Sequence, residues 1–314
     1  MTSHIAITGA PSLSLAITGA TGFVGQSTLD TALATGQRVT ALTRRPQSPR
    51  DGLTWIEGAL DSRAALDRLV EQADTVIHIA GAVNVPTRAA FAAANIAGTQ
   101  AVIDAAKRAG VRRFVHVSSL AARHPGLSNY GWSKAEAEDV VTKSGLDYVV
   151  ARPPAIYGPH DSDMFDLFRM ARRGFMLLPP KGRTSIIHVE DLARLLIILA
   201  TSAPPAPLME PSDGTENGLT HAELAAMIGN AMGRPRLATL SAPRRLLHLA
   251  ARADRLVRRD RARLTPDRAS YLSHPDWVSM PQYQPPSDYW SPHWSGEAGL
   301  KMTADWYLEN GWIT

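Results

Sequence analysis

Tyr130 and Lys134 stand four residues apart in Asn129-Tyr-Gly-Trp-Ser-Lys134, a stretch that opens a helix running to about Ser144. At that spacing the two side chains share one helical face. An ammonium near a phenol stabilises the phenolate and lowers the tyrosine's pKa toward working pH, so the pair can move a proton at a carbonyl or alcohol oxygen. A hydroxyl arrives nearby. Arg113-Phe-Val-His-Val117 reads as a strand that delivers Ser118 and Ser119 at its end. Ser119 is the candidate that holds a substrate oxygen, and Ser118 is its substitute, because the serine pair leaves the register open by one. Any Tyr-x-x-x-Lys by itself is commonplace on surface helices, and it acquires meaning from the elements that carry it.

The governing element is Leu13 to Gly36. An apolar strand, Leu13 to Ile17, runs into Gly19-x-x-Gly22-x-x-Gly25 and then into a helix ending at Gly36. Glycines let the backbone turn sharply and approach a pyrophosphate, and the helix start presents free N–H groups and its positive dipole end. Strand before and helix after are the context a dinucleotide fingerprint requires. Gly19, Thr21, Gly22, Phe23, Val24 and Gly25 are the candidate phosphate-side residues. Arg38 to Thr43 is a second strand, followed by Arg44 and Arg45. An acid at that strand end would grip the ribose hydroxyls of NAD, but Thr43 occupies the place and two arginines follow. The guanidinium fork suits a 2′-phosphate, so NADP(H) is the preferred cofactor, with NAD(H) the alternative.

Leu53 to Glu57 reads as a third strand, Arg63 to Gln72 as a short helix, and Thr75 to Ile79 as a fourth strand. That strand ends in Ala80-Gly81-Ala82, small residues that leave room for a ligand above the sheet. Helical periodicity runs from Thr87 to Ala109 with Asn95 inside it. Strands alternating with helices predict an α/β fold with a Rossmann-type doubly wound parallel sheet.

The chain resembles the extended branch of the short-chain dehydrogenase/reductase superfamily, the NAD-dependent epimerase/dehydratase family. The resemblance rests on Thr18-Gly-Ala-Thr-Gly-Phe-Val-Gly25, Val76-Ile-His-Ile-Ala80, Asn95-Ile-Ala-Gly-Thr99 and Val115-His-Val-Ser-Ser119, followed by Tyr130-Gly-Trp-Ser-Lys134, Arg152-Pro-Pro-Ala-Ile-Tyr-Gly-Pro159 and His188-Val-Glu-Asp-Leu192. It implies a Ser-Tyr-Lys site at Ser119, Tyr130 and Lys134, with Lys134 also holding the nicotinamide ribose. It also implies that Pro153 to Ile156 flank the nicotinamide, that Asn95 and Leu60 lie on the cofactor side, and that the protein is a homodimer. Two departures stand out. Gly58-Ala59-Leu60 replaces the family's Gly-Asp-Leu, removing a contact to the adenine unless Asp61 compensates, and only ten residues separate Ser119 from Tyr130.

The domain reading places an N-terminal extension at 1–12 and a dinucleotide-binding domain at 13–160, completed by 185–212. A small C-terminal α/β substrate lobe and tail are built from 161–184 and 213–314. Within the lobe, Asp161 to Gly174 reads as a helix, Met176 to Gly182 as a loop, Ser185 to Val189 as a strand and Glu190 to Ala200 as a buried helix. Thr220-x-x-Glu223 is a capping box for a helix to Met232. Phe165, Phe168, Met170, Phe175, Met176 and Leu177 form an apolar set that would line a pocket for a hydrophobic carbonyl, or else pack the lobe. Pro243 to Leu264 is a basic amphipathic stretch; a solvated helix face is the commoner role of such a stretch, an anionic membrane surface the rarer one.

At 314 residues the chain can bury one sizeable core or a core plus a lobe. It has no cysteine, which excludes disulfides and thiolate chemistry and suits a reducing cytoplasm. A net charge of +4 with 6% aromatic residues argues against nucleic-acid binding. No run reaches the roughly 20 apolar residues of a membrane span, Met1 to Ser12 lacks a signal-peptide pattern, and no histidine cluster has metal-ligand spacing. Ile5-Ala-Ile-Thr-Gly-Ala10 is echoed by Leu15-Ala-Ile-Thr-Gly-Ala20, and the first copy, lacking the later glycines, reads as an extension or a misplaced start. The sequence therefore predicts an NADP(H)-dependent reductase/dehydrogenase of a small or hydrophobic carbonyl/alcohol pair, which is its small-molecule substrate. A nucleotide-sugar epimerase/dehydratase and a non-turnover cofactor-binding subunit at a membrane complex are the alternatives.

Overall fold

The computed structural model describes residues 12–258 and 264–313. The early repeat at Ile5 to Ala10 and part of the basic stretch, 259–263, lie outside the described residues. The chain divides into two compact units. The first holds the residues up to Ser118 together with Ser133–Ala151 and Leu192–Met209; the second holds Ser119–Trp132, Arg152–Asp191 and the residues from Glu210 onward.

In the first unit the order is β1 (Ser14–Thr18), α1 (Phe23–Ala34), β2 (Arg38–Thr43), β3 (Leu53–Glu57), α2 (Arg63–Val70), β4 (Thr75–His78), α3 (Arg88–Phe91), α4 (Gly98–Ala109) and β5 (Arg113–Val117). Helix α5 (Asn129–Thr142), which belongs to this unit from Ser133 onward, and β6 (Asp147–Ala151) follow, and Leu208–Met209 supplies the seventh strand. Across the sheet the order is Leu208–Met209, β6, β5, β4, β1, β2, β3. Every neighbouring pair runs parallel. The strand order reverses between β1 and β4, and an open parallel sheet binds ligands outside the carboxyl ends of the strands at such a point. β4 is buried along its whole length, as expected of a strand covered on both faces.

Leu66, Leu69 and Val70 of α2 pack with Val102, Ile103 and Ala106 of α4 against Ala16, Val76 and Phe114 of the sheet. The helix predicted over Thr87 to Ala109 is three pieces. α3 is capped by the Thr87 hydroxyl, which accepts from the Ala90 N–H, and a π turn over Ala92–Ala97 joins it to α4. Such a turn inserts an extra residue into the helical ladder, and Asn95 sits inside it.

The second unit has its own core, built around Tyr157, Phe168, Met176, Ile228, Leu300 and Tyr307. The helix His221–Ala231 carries the capping box read from sequence, with Thr220 accepting from the Glu223 N–H and Glu223 from the Thr220 N–H. Two expectations are corrected. The segment read as a loop from Met176 begins as a strand, Phe175–Leu178, paired in parallel with Ala238–Ser241. That partner lies some sixty residues away, beyond the reach of local pattern. The helix read from Asp161 starts at Phe165, because the Asp161 carboxylate accepts from the Asp163 and Met164 N–H groups in a turn that precedes it.

The apolar set resolves into two groups. Phe168 and Met176 are buried in the second unit's core with Phe165 and Met170 packed on it, whereas Phe175 and Leu177 are exposed. Packing has claimed Phe168 and Met176 of the residues expected to line a pocket or pack the lobe. No helix among the described residues is long and apolar enough to cross a membrane.

Candidate active site

Gly19 adopts φ +77°, a left-handed conformation that only glycine takes without strain, and its carbonyl accepts from the Gly22 N–H at 3.0 Å. A Cβ on Gly19 would stand 2.7 Å from the Ala80 nitrogen, so β1 and β4 can meet this closely only through a glycine. A Cβ on Gly25 would fall 2.0 Å from the Gly19 carbonyl oxygen. Helix α1 begins after Gly22, with no side-chain cap and no acid in its first turn. The N–H groups at Phe23 and Val24 therefore stay available to an anion, and Thr21 lies exposed in the same turn. This uncapped start beside a glycine turn fits the pyrophosphate of a dinucleotide.

Behind the turn a buried polar chain ties the ends of the strands together. The Ala80 N–H donates to Thr18 Oγ1 at 3.3 Å, and Thr18 Oγ1 lies 2.7 Å from His78 Nδ1. His78 Nε2 lies 3.0 Å from Thr99 Oγ1, which itself donates to the Asn95 carbonyl at 2.6 Å. Thr99 has spent its proton, so His78 Nε2 must donate to it and Nδ1 must accept from Thr18; the ring is the neutral Nε2–H tautomer. Burial, aided by the Lys134 charge, pulls His78 down to about 3. Asn95 extends the chain, accepting from the Ala82 N–H at 2.6 Å and donating to the Ala82 carbonyl and to Ser133 Oγ. Ala80 and Ala82 are thus fixed, and Gly81 lies between them. A Cβ on Gly81 would stand 3.0 Å from Asn95 Oδ1 and 3.9 Å from Lys134 Nζ.

The two serines separate. Ser118 Oγ donates to Glu138 in the first unit, while in the second unit the Ser119 hydroxyl bonds the Tyr130 phenol and also accepts from the Ala121 N–H. Tyr130 packs edge-on against Tyr271, beside Leu120, Leu127 and Trp277. Burial raises its pKa; the Ser119 hydrogen bond lowers it, and the Asp163 charge raises it again. The expectation of a phenol lowered by Lys134 is corrected, since desolvation outweighs the other effects. Lys134, one turn further along α5, is only 5% exposed and donates from Nζ to the Val117 carbonyl at 2.7 Å. Burial brings its ammonium down to about 8, against an upward pull from Glu138.

The remaining predicted residues are scattered more widely. Arg44 and Arg45 are exposed at the end of β2, where Thr43 Oγ1 donates to the Arg45 carbonyl at 2.7 Å and shapes the turn. Leu60 packs against the first unit's core near Gly98, and Asp61 is exposed. Pro153 and Ile156 belong to the second unit; the Pro153 carbonyl accepts from the Leu120 N–H, and Ile156 pairs with Ile187. No group of three or more His, Asp or Glu placed to hold a metal occurs among the described residues. Sequence reasoning missed Glu138, His78 and Thr99 as positioning residues. The signal for the last two was a polar residue at a buried strand or helix position inside each motif.

The profile of the NAD dependent epimerase/dehydratase family matches residues 15–207. The chain belongs to that family. The family is one of enzymes of the extended short-chain dehydrogenase/reductase type, and its members use a nicotinamide dinucleotide. A ceramide reductase of Caulobacter vibrioides is 37% identical over 311 residues, covering 95% of this chain and 96% of its own length. A 4-hydroxy-2-methyl-3-oxo-4-farnesyl-3,4-dihydroquinoline-1-oxide ketoreductase of Stigmatella aurantiaca is 28% identical, over 63% of this chain and 67% of its own. The Bordetella bronchiseptica enzyme WbmG, solved in complex with NAD and UDP, superposes with a TM-score of 0.74 at 18% identity, covering 96% of this chain and 97% of the other. That last likeness concerns the fold alone.

Proposed function

We propose that this family member is an NADPH-dependent reductase of a ketone carried on a long-chain, ceramide-like lipid. The observation that carries the reading is the near end-to-end likeness to the Caulobacter vibrioides ceramide reductase. Bound nicotinamide dinucleotide would supply the hydride for the carbonyl carbon. Its pyrophosphate would rest on the Gly19 to Gly25 turn and the start of α1, and its 2′-phosphate on Arg44 and Arg45. Leu60, Ala80 to Ala82, Asn95, Pro153 and Ile156 would flank its rings and riboses.

Ser119 Oγ, proposed as a donor to the substrate oxygen, stabilises the charge that develops there. Tyr130 gives its phenolic proton to the same oxygen, and the buried ammonium of Lys134 stabilises the phenolate left behind. Arg44 and Arg45 make no ion pair among the described residues, which leaves both guanidinium groups for a phosphate and supports NADPH over NADH.

The test is NADPH consumption by the purified protein with a keto-ceramide, run beside UDP-glucose and dTDP-glucose. We expect turnover of the lipid ketone, a lower Kd for NADPH than for NADH, and a loss in Tyr130→Phe of roughly 10²–10⁴ in kcat with cofactor binding retained. Conversion of a nucleotide sugar without net NADPH consumption would replace the reductase reading with the epimerase one.

A further inference from the structure

The helix Arg244–Arg258 in the second unit is amphipathic in an unusual sense, since its leucine stripe points away from the protein. Leu246, Leu249 and Leu256 are 54%, 62% and 81% exposed, and Ala253 is exposed between them. These positions follow the i, i+3, i+7, i+10 spacing of a single helical stripe. Among the described side chains the inward side is short of apolar bulk: Ala251 is buried, Leu247 is half-buried, and Asp254 accepts from the Leu264 N–H. An ordinary surface helix of a globular protein would have its apolar stripe turned inward.

Charge flanks the stripe. Arg244, Arg245, His248, Leu249 and Arg252 line an open recess of about 450 Å³. None of those three arginines makes an ion pair among the described residues. The strand pair leading into the helix adds to the surface. Leu240, 59% exposed, is the register partner of Leu177, and Phe175 lies two residues before Leu177 on the same face of the ribbon, all three of them exposed. Only Ser241, Ala242 and Pro243 separate Leu240 from the helix.

We propose that the Arg244–Arg258 helix is an in-plane docking element for an anionic lipid bilayer. The stripe Leu246, Leu249 and Leu256 enters the acyl boundary, and Arg244, Arg245 and Arg252 meet lipid phosphates. Leucines on one side and unpaired arginines beside them match the layering of an anionic bilayer surface, apolar below and negative above. A second copy of the chain matches less well. An antiparallel two-fold contact through this stripe brings the arginine flanks together, like charge against like charge. The inference stands apart from the reductase reading, because it is read by binding and not by turnover.

The full-length protein should be floated with vesicles of phosphatidylcholine alone and with vesicles of phosphatidylcholine and phosphatidylglycerol in equal parts. We expect binding to the anionic vesicles, weakened about tenfold or more by raising salt from about 0.1 M to about 1 M. Leu249→Asp/Leu256→Asp should abolish binding, and Arg245→Glu/Arg252→Glu should weaken it about tenfold or more, with NADPH affinity and circular dichroism unchanged in both. Absence of binding to anionic vesicles, or binding equal in the wild type and both variants, overturns the proposal. So does a dimer in sedimentation that the leucine variant dissolves while vesicle binding stays absent, which assigns the face to a second copy. If a lipid ketone is not turned over but the vesicles are bound as described, the reductase reading fails and this one holds.

Discussion

Ser118 and Ser119 are adjacent and chemically identical, yet their hydroxyls serve different partners. Ser119 meets the Tyr130 phenol, and Ser118 is held by the buried carboxylate of Glu138. Ser119→Ala should therefore lower kcat by roughly 10²–10³, as the loss of one donor to a developing oxyanion does. Ser118→Ala should leave kcat within about threefold and show itself as a lower Tm. Kinetics with the order reversed would transfer the catalytic role to Ser118. Lys134 carries a pH signature as well. Its pKa is lowered to about 8, so its positive charge is present below that pH and is lost as pH rises through it. If the charge supports proton transfer from Tyr130, kcat should fall on the alkaline side of about pH 8. A profile flat from about pH 7 to about pH 9 would remove Lys134 from that step.

At the scale of elements, the β1–α1 turn and β4 form one unit of construction. Gly25 has no room for a methyl group, since its Cβ would overlap the Gly19 carbonyl oxygen at 2.0 Å. Gly25→Ala must push α1 away from β1 or distort the turn, so cofactor Kd should rise about tenfold or more and Tm should fall. Fluorescence titration and a thermal melt read the two effects separately. Unchanged affinity would detach this turn from cofactor binding. The π turn in the α3–α4 segment acts through the same logic, because it places Asn95 where one side chain bonds both Ala82 and Ser133. Regular helical spacing over that stretch is compatible with an uninterrupted helix, so the extra residue was not legible beforehand.

For the molecule as a whole, stability should depend on pH through buried groups that are far from their ordinary pKa values. Burial holds His78 and His188 down at about 3, below an unfolded value near 6.5. Their contribution is complete above that unfolded value and is lost as pH falls toward 3. Asp161 has the opposite sign. Burial pushes its carboxyl up to about 7 against the pull of the Asp163 and Met164 N–H groups, and the folded form then holds a proton that the unfolded chain has released. Its contribution is present below the unfolded carboxylate pKa of about 3.9 and is lost as pH rises through about 7. Asp161→Asn should accordingly gain stability relative to wild type as pH rises from about 5 to about 7, then level off. Urea midpoints of the two proteins across that range check it, and a constant difference would contradict the raised pKa.

The strands of the parallel sheet as far as β5, the glycine turn and the Tyr130–Lys134 helix were all legible in the chain because each depends on local pattern. Strand runs, glycine spacing and a four-residue interval survive without knowledge of any partner. Pairings between distant segments do not. The strand Phe175–Leu178 exists because Ala238–Ser241 lies beside it, and the apolar set around Phe168 and Met176 became core because a second helical layer closes over it. Which serine faces the phenol was likewise undecidable from two identical neighbours until Glu138 claimed one. The direction of the Tyr130 pKa lies beyond the sequence for a related reason: charge proximity can be read from spacing, whereas desolvation depends on everything packed around the ring. The outward-facing leucines of the Arg244–Arg258 helix make the same point. Amphipathic periodicity marks a stripe, but the direction it faces belongs to the tertiary fold.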